Sequence, residues 1–592
     1  MSDQATDPRI DAISVSVFQR RLHTITEEMA LTLLRTTRSP ILREGRDCAT
    51  GLYDRDGRML EQTEYTALLG FALMPSLKFI ISYFGEDIHP GDVILHNDVY
   101  SEGNQLADIG VYKPVFFGGE LVAWAAAKGH QADIGGSAPG AYNPKAREIW
   151  HEGLRLTPIK IVERGTMRRD LWDFLMANVR LPLVGEDLKA IIGACTVGER
   201  RLQQLLESKG SDWFLAHREA LLNATERRTR GEIAKIPDGV YRSEALLYFD
   251  AVRLGAKHRI VVTVTVAHDE IWFDFTGSSP ETEGYANSAL HASTSGLILS
   301  FLMLIDPDIP HNEGLLRPIH MHFPSPSIVN CTLPHATSYG NHLTHQIANA
   351  VHRALAQALP EKVTAGWDTA LLVIPSGYRP GTQRRYVDFC LFACKGGSGG
   401  TYGVDGFDHI GTIMTGGALA AQDPEVHEVQ NPHLIEHYEY WPDSAGAGRW
   451  RGGYGTYARW QLCGEKTMAV TIGQGAEPGE EPHGLFGGKP GTLNRVLYHQ
   501  PNGSTITPLV HDIHYDLDGS TVEQFAGGGG GYGDPLDRDI ALVVAEIRDE
   551  LLSPEKARRD YRVAVDPITL DVDMNEIRRL RTIPPALSTE SG

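Results

Sequence analysis

Ile109-Gly-Val-Tyr-Lys-Pro-Val-Phe-Phe-Gly-Gly-Glu-Leu-Val-Ala-Trp-Ala-Ala-Ala-Lys-Gly-His-Gln-Ala-Asp-Ile-Gly-Gly136 decides how the chain folds. Its apolar and β-branched content predicts two strands, 109–117 and 121–127, turned at Gly118-Gly119. The second strand runs into His130, and Gly135-Gly136 breaks the chain just after Asp133. A strand pair of this kind opens a sheet whose mouth carries an imidazole and a carboxylate.

Upstream, Phe18, Leu22, Ile25, Met29 and Leu33 fall at helical spacing, which predicts an amphipathic helix over 11–36 ended near Pro40. Residues 48–61 form a hairpin turned at Asp56-Gly57, 70–85 a second helix, and 91–96 a strand. Downstream, 170–232 is largely helical, and Pro237-Asp238-Gly239 marks a turn and a lobe boundary. Strands follow over 239–280, helices over 286–304 and 342–358, then a Gly-rich, strand-like stretch over 385–535. Helices near 539–552 and 554–561 flank Ser553-Pro554, a cap and a first-turn residue; a mobile tail begins near 583. No regular βαβ cadence and no solenoid repeat appears, so the expected class is α+β with mixed sheets and peripheral helices. Four segments follow: an N-terminal lobe 1–235, a central α+β lobe 236–384, a Gly-rich β lobe 385–538, and C-terminal helices with a tail over 539–592.

The 592 residues carry 55 Lys+Arg against 75 Asp+Glu, a formal charge of -20. That balance argues against general nucleic-acid or anionic-membrane binding, which need a basic face. Met1–Arg9 lacks the basic start and apolar run of a signal peptide, and the apolar stretches are too short or too Gly-rich to span a bilayer. A reduced, cytoplasmic protein is expected. Six cysteines in this length are no disulfide framework. Cys390 and Cys394 lie on what reads as a strand, facing one way. With no second Cys/His pair nearby in sequence, they are expected to be core residues.

Nucleotide signatures are missing: there is no G-x-x-x-x-G-K-[ST] and no G-x-G-x-x-G between a strand and a helix. The glycine runs at 396–400 and 527–531 are expected to be turns that exploit positive φ. Gly396-Gly-Ser398-Gly-Gly400 fits the nucleophile-elbow pattern, but no helix follows Ser398, so a serine hydrolase is not the reading.

The stronger cluster lies between 96 and 152: His96-Asn97-Asp98, Glu102, Asp108, His130-x-x-Asp133 and Glu148-Ile-Trp-His151-Glu152. His130 and Asp133 can both reach one ion, and His151 would complete a three-ligand site with open positions suited to Zn, Mn or Fe(II). The alternative is a hydrogen-bonded set of polar loop residues, since His is frequent here at 24.

This pattern resembles the hydantoinase B/oxoprolinase family along nearly the whole chain. The resemblance is carried by Ser39 and Asp47, Asp54-Arg-Asp-Gly57, Asn97-Asp98 with Asp108, and His130-x-x-Asp133-x-Gly-Gly136. It continues through Glu152-Gly153-Leu-Arg155, Asp274-Phe-Thr-Gly277, Gly340-Asn341, Pro442-Asp443, Gly484-Leu-Phe-Gly-Gly-Lys-Pro-Gly491 and Gly529-Gly-Gly-Tyr-Gly-Asp-Pro535. It implies a large, multi-lobed α+β subunit working beside a hydantoinase A-like chain that binds ATP, with a small accessory subunit in some complexes. Two chemistries share such scaffolds: opening of cyclic amides, and carboxylation of ketones with bicarbonate. Segments 64–75 and 146–152 look most like the aromatic-ketone branch, the acetophenone carboxylases. The expected function is therefore an ATP-dependent carboxylase subunit joining CO2 to the enolate of a ketone such as acetophenone. Cyclic-amide hydrolysis is the alternative, and a purely scaffolding subunit the third reading.

The resemblance further implies a divalent metal, Zn or Mn, on His130 and Asp133, with His151 the candidate third ligand. Asp98, Asp108 and Glu152 are the candidates for orienting an imidazole or moving a proton. An aryl ketone calls for aromatic walls, a cyclic amide for paired amide donors and acceptors.

Overall fold

The computed structural model describes residues 10–253 and 255–582. The acidic start over 1–9 and the tail from 583 lie outside the described residues. Seven strands form an antiparallel sheet ordered β2-β1-β5-β4-β3-β6-β7. They are β1 (Cys48–Asp54), β2 (Met59–Glu64), β3 (Val93–His96), β4 (Asp108–Phe117), β5 (Glu120–His130), β6 (Ile159–Glu163) and β7 (Thr166–Met167). Gly118 and Gly119 turn β4 into β5 with φ of 61° and 89°, a region that glycine enters without strain. The register set by this turn places Asp108 opposite His130.

The helix Ala12–Thr36 packs on β1 and β2 beside Leu183–Lys209, which covers β4 and β5. Asp11 and Ser14 close a reciprocal capping box at its start. Phe18, Leu22, Ile25, Met29 and Leu33 are all buried, each contributing roughly 1.5–3 kcal/mol before entropy is counted. Pro40 does not end this helix, which stops at Thr36. Pro40 instead opens the short helix Pro40–Arg43 under a Ser39 cap. Ala67–Phe84 gives an 18-residue helical run as long and apolar as a membrane span, longer than the sequence suggested, but half of it is buried in the fold.

The second sheet, ordered β11-β10-β9-β8, comprises β8 (Gly239–Leu247), β9 (His258–Ala267), β10 (Glu270–Asp274) and β11 (Ile319–His322). β10 and β11 run parallel because the helix Leu290–Leu302 carries the chain back between them. The helix Thr344–Leu355 packs on β8, β9 and Leu290–Leu302, and the turn Gly340–Leu343 that precedes it reaches back to the first sheet.

Two further sheets follow. One runs Arg385–Val387, Leu371–Tyr378, Glu465–Gly473, Asp512–His514; the other runs His433–Tyr440, Thr456–Leu462, Thr521–Ala526, Arg495–His499, Thr505–Ile506. The expected strand through Cys390 and Cys394 ends at Val387, and the chain turns over 391–394. The glycine runs are not turns either: none of Gly396–Gly400 or Gly527–Gly531 has positive φ. They are places where backbones touch. A Cβ on Gly529 would stand 1.8 Å from the Ser398 carbonyl oxygen, and its N–H donates to the Gly453 carbonyl.

Candidate functional site

Three chain ends meet at one edge of the first sheet. His130 closes β5, Asp108 opens β4, and Asp47 precedes β1, its carbonyl accepting from the His130 backbone N–H at 3.1 Å. His130 Nδ1 lies 2.8 Å from Asp108 Oδ1. An ionised carboxylate only accepts, so the ring proton sits on Nδ1 and the Nε2 lone pair is free. Asp108 is fully buried and His130 is 5% exposed. Burial pushes the imidazole down, but the hydrogen bond and charge of Asp108, with the charge of Asp47, more than offset it and hold His130 above its ordinary pKa.

Asp108 is itself held from behind. Its Oδ2 accepts from Asn104 Nδ2 and, at 2.9 Å, from Asn341 Nδ2. Lys128 Nζ donates to Asn104 Oδ1 at 2.8 Å, and since an ammonium has no acceptor, this bond fixes which way the Asn104 amide faces. Burial lowers Lys128 to about 8. The series Lys128, Asn104, Asp108, His130 is thus a buried relay with each orientation set by the next group.

Rings surround His130. Tyr142 stacks at 6.2 Å and Phe389 meets it edge-on at 5.7 Å. The Tyr142 hydroxyl lies 3.1 Å from His342 Nε2, and His342 stacks on Tyr339. Tyr339 in turn stands edge-on to Phe249 and His511, which line a cavity of about 530 Å³. A row of rings therefore leads from that cavity to His130. Among the buried polar atoms here, His342 Nδ1, His345 Nε2, Ser338 Oγ and Gln131 Oε1 have no hydrogen-bond partner. Burial lowers both histidines, His345 to about 4, so both rings are neutral at pH 7. Unpaired buried donors and acceptors beside a carboxylate-oriented imidazole make a site that can accept a proton and bind an amide or carbonyl.

The other expected residues are placed elsewhere. Asp133 is buried, with Oδ1 on Arg180 Nη1 at 2.9 Å and Oδ2 accepting from the Arg180 and Gly135 backbone N–H groups. His151 is exposed, and its Nδ1 accepts from the Arg147 and Glu148 backbone. His130, Asp133 and His151 are not brought to one point as a ligand set. Asp98 forms a two-pronged pair with Arg155 and caps the turn Val99–Ser101. Glu152 is buried, its Oε1 accepting from the Thr337 and Ser338 N–H groups, and burial raises it to about 7. Of the six, only Asp108 and His130 touch. Asn104, Lys128, Tyr142, Asn341, His342, His345 and Phe389 are the additions. Gly340-Asn341, which carries part of the resemblance, and the adjoining His342-x-x-His345 at a helix start are the local signals for them.

A separate group could hold a metal. Asp388, Cys390, His427 and His433 are buried, and one ligand atom from each lies within 4.8 Å of all the others. Among the described residues it is the one such group.

A profile of the hydantoinase B/oxoprolinase family matches residues 11–535. The chain is 35% identical to the caprolactamase subunit beta of Pseudomonas jessenii over 566 residues, 94% of this chain and 97% of that one. It is 27% identical to the acetophenone carboxylase delta subunit of Aromatoleum aromaticum, over 97% of this chain and 89% of that one. The crystal structure of the ATP-dependent caprolactamase from Pseudomonas jessenii superposes with a TM-score of 0.90 at 33% identity, covering 97% of this chain and 100% of that one.

Proposed function

The chain belongs to the hydantoinase B/oxoprolinase family, and from that premise we propose that it is the ring-opening subunit of an ATP-dependent cyclic-amide hydrolase. A hydantoinase A-like partner would bind the ATP, since this chain carries no nucleotide signature. The observation that carries the reading is the His130–Asp108 pair, with a free Nε2 among unpaired buried donors and acceptors. ATP on the partner would give its γ-phosphoryl group to the amide oxygen; water adds to the amide carbon, the C–N bond breaks with the proton passing to nitrogen, and the acyl phosphate left is hydrolysed by a second water to acid and phosphate. His130 takes the proton from the first water at Nε2, and Asp108 holds the ring in the tautomer that can accept it. Gln131 Oε1, the amide oxygen left unpaired next to His130 in the chain, could accept from the N–H of a lactam or hydantoin. The extensive likeness to a caprolactamase subunit supports the same choice.

Ketone carboxylation is the second reading. Tyr142, Tyr339 and Phe389 supply the aromatic wall an aryl ketone needs, and the acetophenone carboxylase relative supports it. In that case His130 would take a proton from the ketone's α-carbon, and bicarbonate-derived CO2 would be the acceptor.

The two are separated by co-producing the chain with its ATP-binding partner and following ADP release. Turnover with caprolactam, hydantoin or 5-oxoproline, without bicarbonate and abolished in His130→Ala, is the expected result. Turnover that needs both acetophenone and bicarbonate would establish the carboxylase instead. Full activity in a folded His130→Ala complex would remove the site from either chemistry.

A further inference from the structure

The group at Asp388 lies outside the His130 relay, and nothing in the proposed reaction uses it. Its residues come from three places: Asp388 and Cys390 follow the strand Arg385–Val387, His427 sits on the helix Pro424–Gln430, and His433 opens the strand His433–Tyr440. Those two strands are edge strands of different sheets. The cluster thus lies where the third and fourth sheets meet.

Asp388 Oδ2 is its focus. His427 Nε2 stands 3.1 Å away, His433 Nε2 3.3 Å and Cys390 Sγ 3.3 Å. Tetrahedral zinc, with metal–nitrogen and metal–oxygen bonds of about 2.0–2.2 Å, sets neighbouring donors about 3.3–3.5 Å apart. Those three spacings suit a shared ion, with all four ligand atoms within 4.8 Å of one another. Both Nε2 atoms face Asp388 without an aligned hydrogen bond, and His433 Nδ1 has no partner, although the two side chains are 1% and 0% exposed. Two imidazoles buried with unused nitrogens call for a ligand.

The surrounding shell is also built. His427 Nδ1 donates to Gln422 Oε1 at 2.9 Å, which leaves Nε2 as the lone-pair nitrogen facing Asp388. Gln422 is buried and is held by Gln430, whose amide donates to Glu44. Cys390 adopts φ of 43°, an unusual conformation for a residue with a side chain, and one that turns its thiol back toward Asp388.

We propose that Asp388, Cys390, His427 and His433 bind one zinc ion that staples the third sheet to the fourth. Two nitrogens, one thiolate and one carboxylate complete a four-coordinate set, so the site is structural, with no open position for substrate. Cys390 gives up its proton on binding. Phe389 lies between two of the ligands and meets the His130 ring edge-on, so the ion also fixes one wall of the candidate active site.

The test is the metal content of the full-length chain, purified with its partner, in wild type, Cys390→Ser, His433→Ala, Gln422→Ala and, as a control, His130→Ala. The expected result is one equivalent of zinc per chain, retained in His130→Ala and lost in Cys390→Ser and His433→Ala. Gln422→Ala should keep the ion with an affinity about 10- to 100-fold weaker. Wild-type protein without stoichiometric zinc, or folded Cys390→Ser and His433→Ala proteins that retain it, would overturn the proposal. If those variants fail to fold, cobalt-loaded wild type decides. A thiolate-to-cobalt charge-transfer band with tetrahedral ligand-field absorption is expected, and its absence overturns the site.

Discussion

Asp108→Asn is the substitution on which the proposed mechanism is most exposed. Asp108 accepts from three donors: His130 Nδ1 on one oxygen, and the Asn104 and Asn341 amides on the other. An asparagine replaces one of those oxygens with an NH2 group. Turned toward Asn104 and Asn341, it would face two donors. Asn104 cannot flip to help, because Lys128 holds its oxygen. Turned toward His130, it faces one donor that can adapt, since a neutral imidazole can move its proton to Nε2. The second arrangement therefore prevails. Its cost to stability is a charge-assisted bond exchanged for a neutral one, about 1–2 kcal/mol. Its cost to catalysis is larger, because Nε2 now carries the proton and cannot accept one. A lost general base corresponds to about 10²- to 10⁴-fold in kcat/KM, or about 3–5 kcal/mol of barrier. The pairing also carries a pH signature. Asp108 holds His130 above its ordinary value, so this stabilisation is complete below about 6.5 and is lost as pH rises through the folded pKa. The variant should lack that dependence. The assay is steady-state ATP-coupled ring opening by the reconstituted complex, paired with thermal unfolding from pH 5 to 9. A folded Asp108→Asn complex within threefold of wild-type kcat/KM would refute the reasoning.

Glu152 gives a pH dependence of the same sign from a different group. Burial raises it to about 7, so the folded chain keeps a proton that the unfolded chain releases above about 4.5. Stability is therefore greatest below that value and falls as pH rises through about 7, by at most about 3 kcal/mol at 1.36 kcal/mol per pH unit. Glu152→Gln can still accept from Thr337 and Ser338 through one oxygen, and chemical denaturation at pH 5 and 8 should show this dependence removed. Arg180→Ala should destabilise by about 3 kcal/mol, because it leaves the Asp133 carboxylate buried without its cation. Arg180→Lys should recover less than half of the loss in the same unfolding assay, since one ammonium cannot also serve the Gly135 and Gly136 carbonyls.

The elements that could be read from sequence are those whose signal is local. The five apolar residues of the first helix are buried as their spacing required, and the Gly118-Gly119 turn gave the β4–β5 pair and hence an antiparallel sheet. Where a reading went astray, a second segment supplied the reason. Read from one chain alone, the glycine runs suggest positive φ, since sequence shows no other purpose for them. They are in fact sites of contact between backbones more than 40 residues apart, as between Gly529 and Gly453. Pro40 reads as the end of a helix, yet the Ser39 cap makes it a beginning.

The same distinction separates the two clusters of this molecule. His130 and Asp133 look like partners because they stand three positions apart, but partnership in a sheet follows register. The cross-strand neighbour of His130 is Asp108, 22 residues away, while Asp133 lies past the strand and is claimed by Arg180. Cys390 is buried in the core as expected, but its polar neighbours are not legible in the sequence, for the converse reason. Its neighbour Cys394 bonds only a local carbonyl, whereas its partners His427 and His433 lie 37 and 43 residues downstream and reach it only when two sheet edges meet. Spacing finds ligands that share one helix or one loop. It cannot find ligands collected from sheet edges, where the chain between them has no fixed length. In this fold both chemically distinctive clusters are of that second kind, and Phe389, beside Asp388 and Cys390 in the chain and against the ring of His130 in space, joins them.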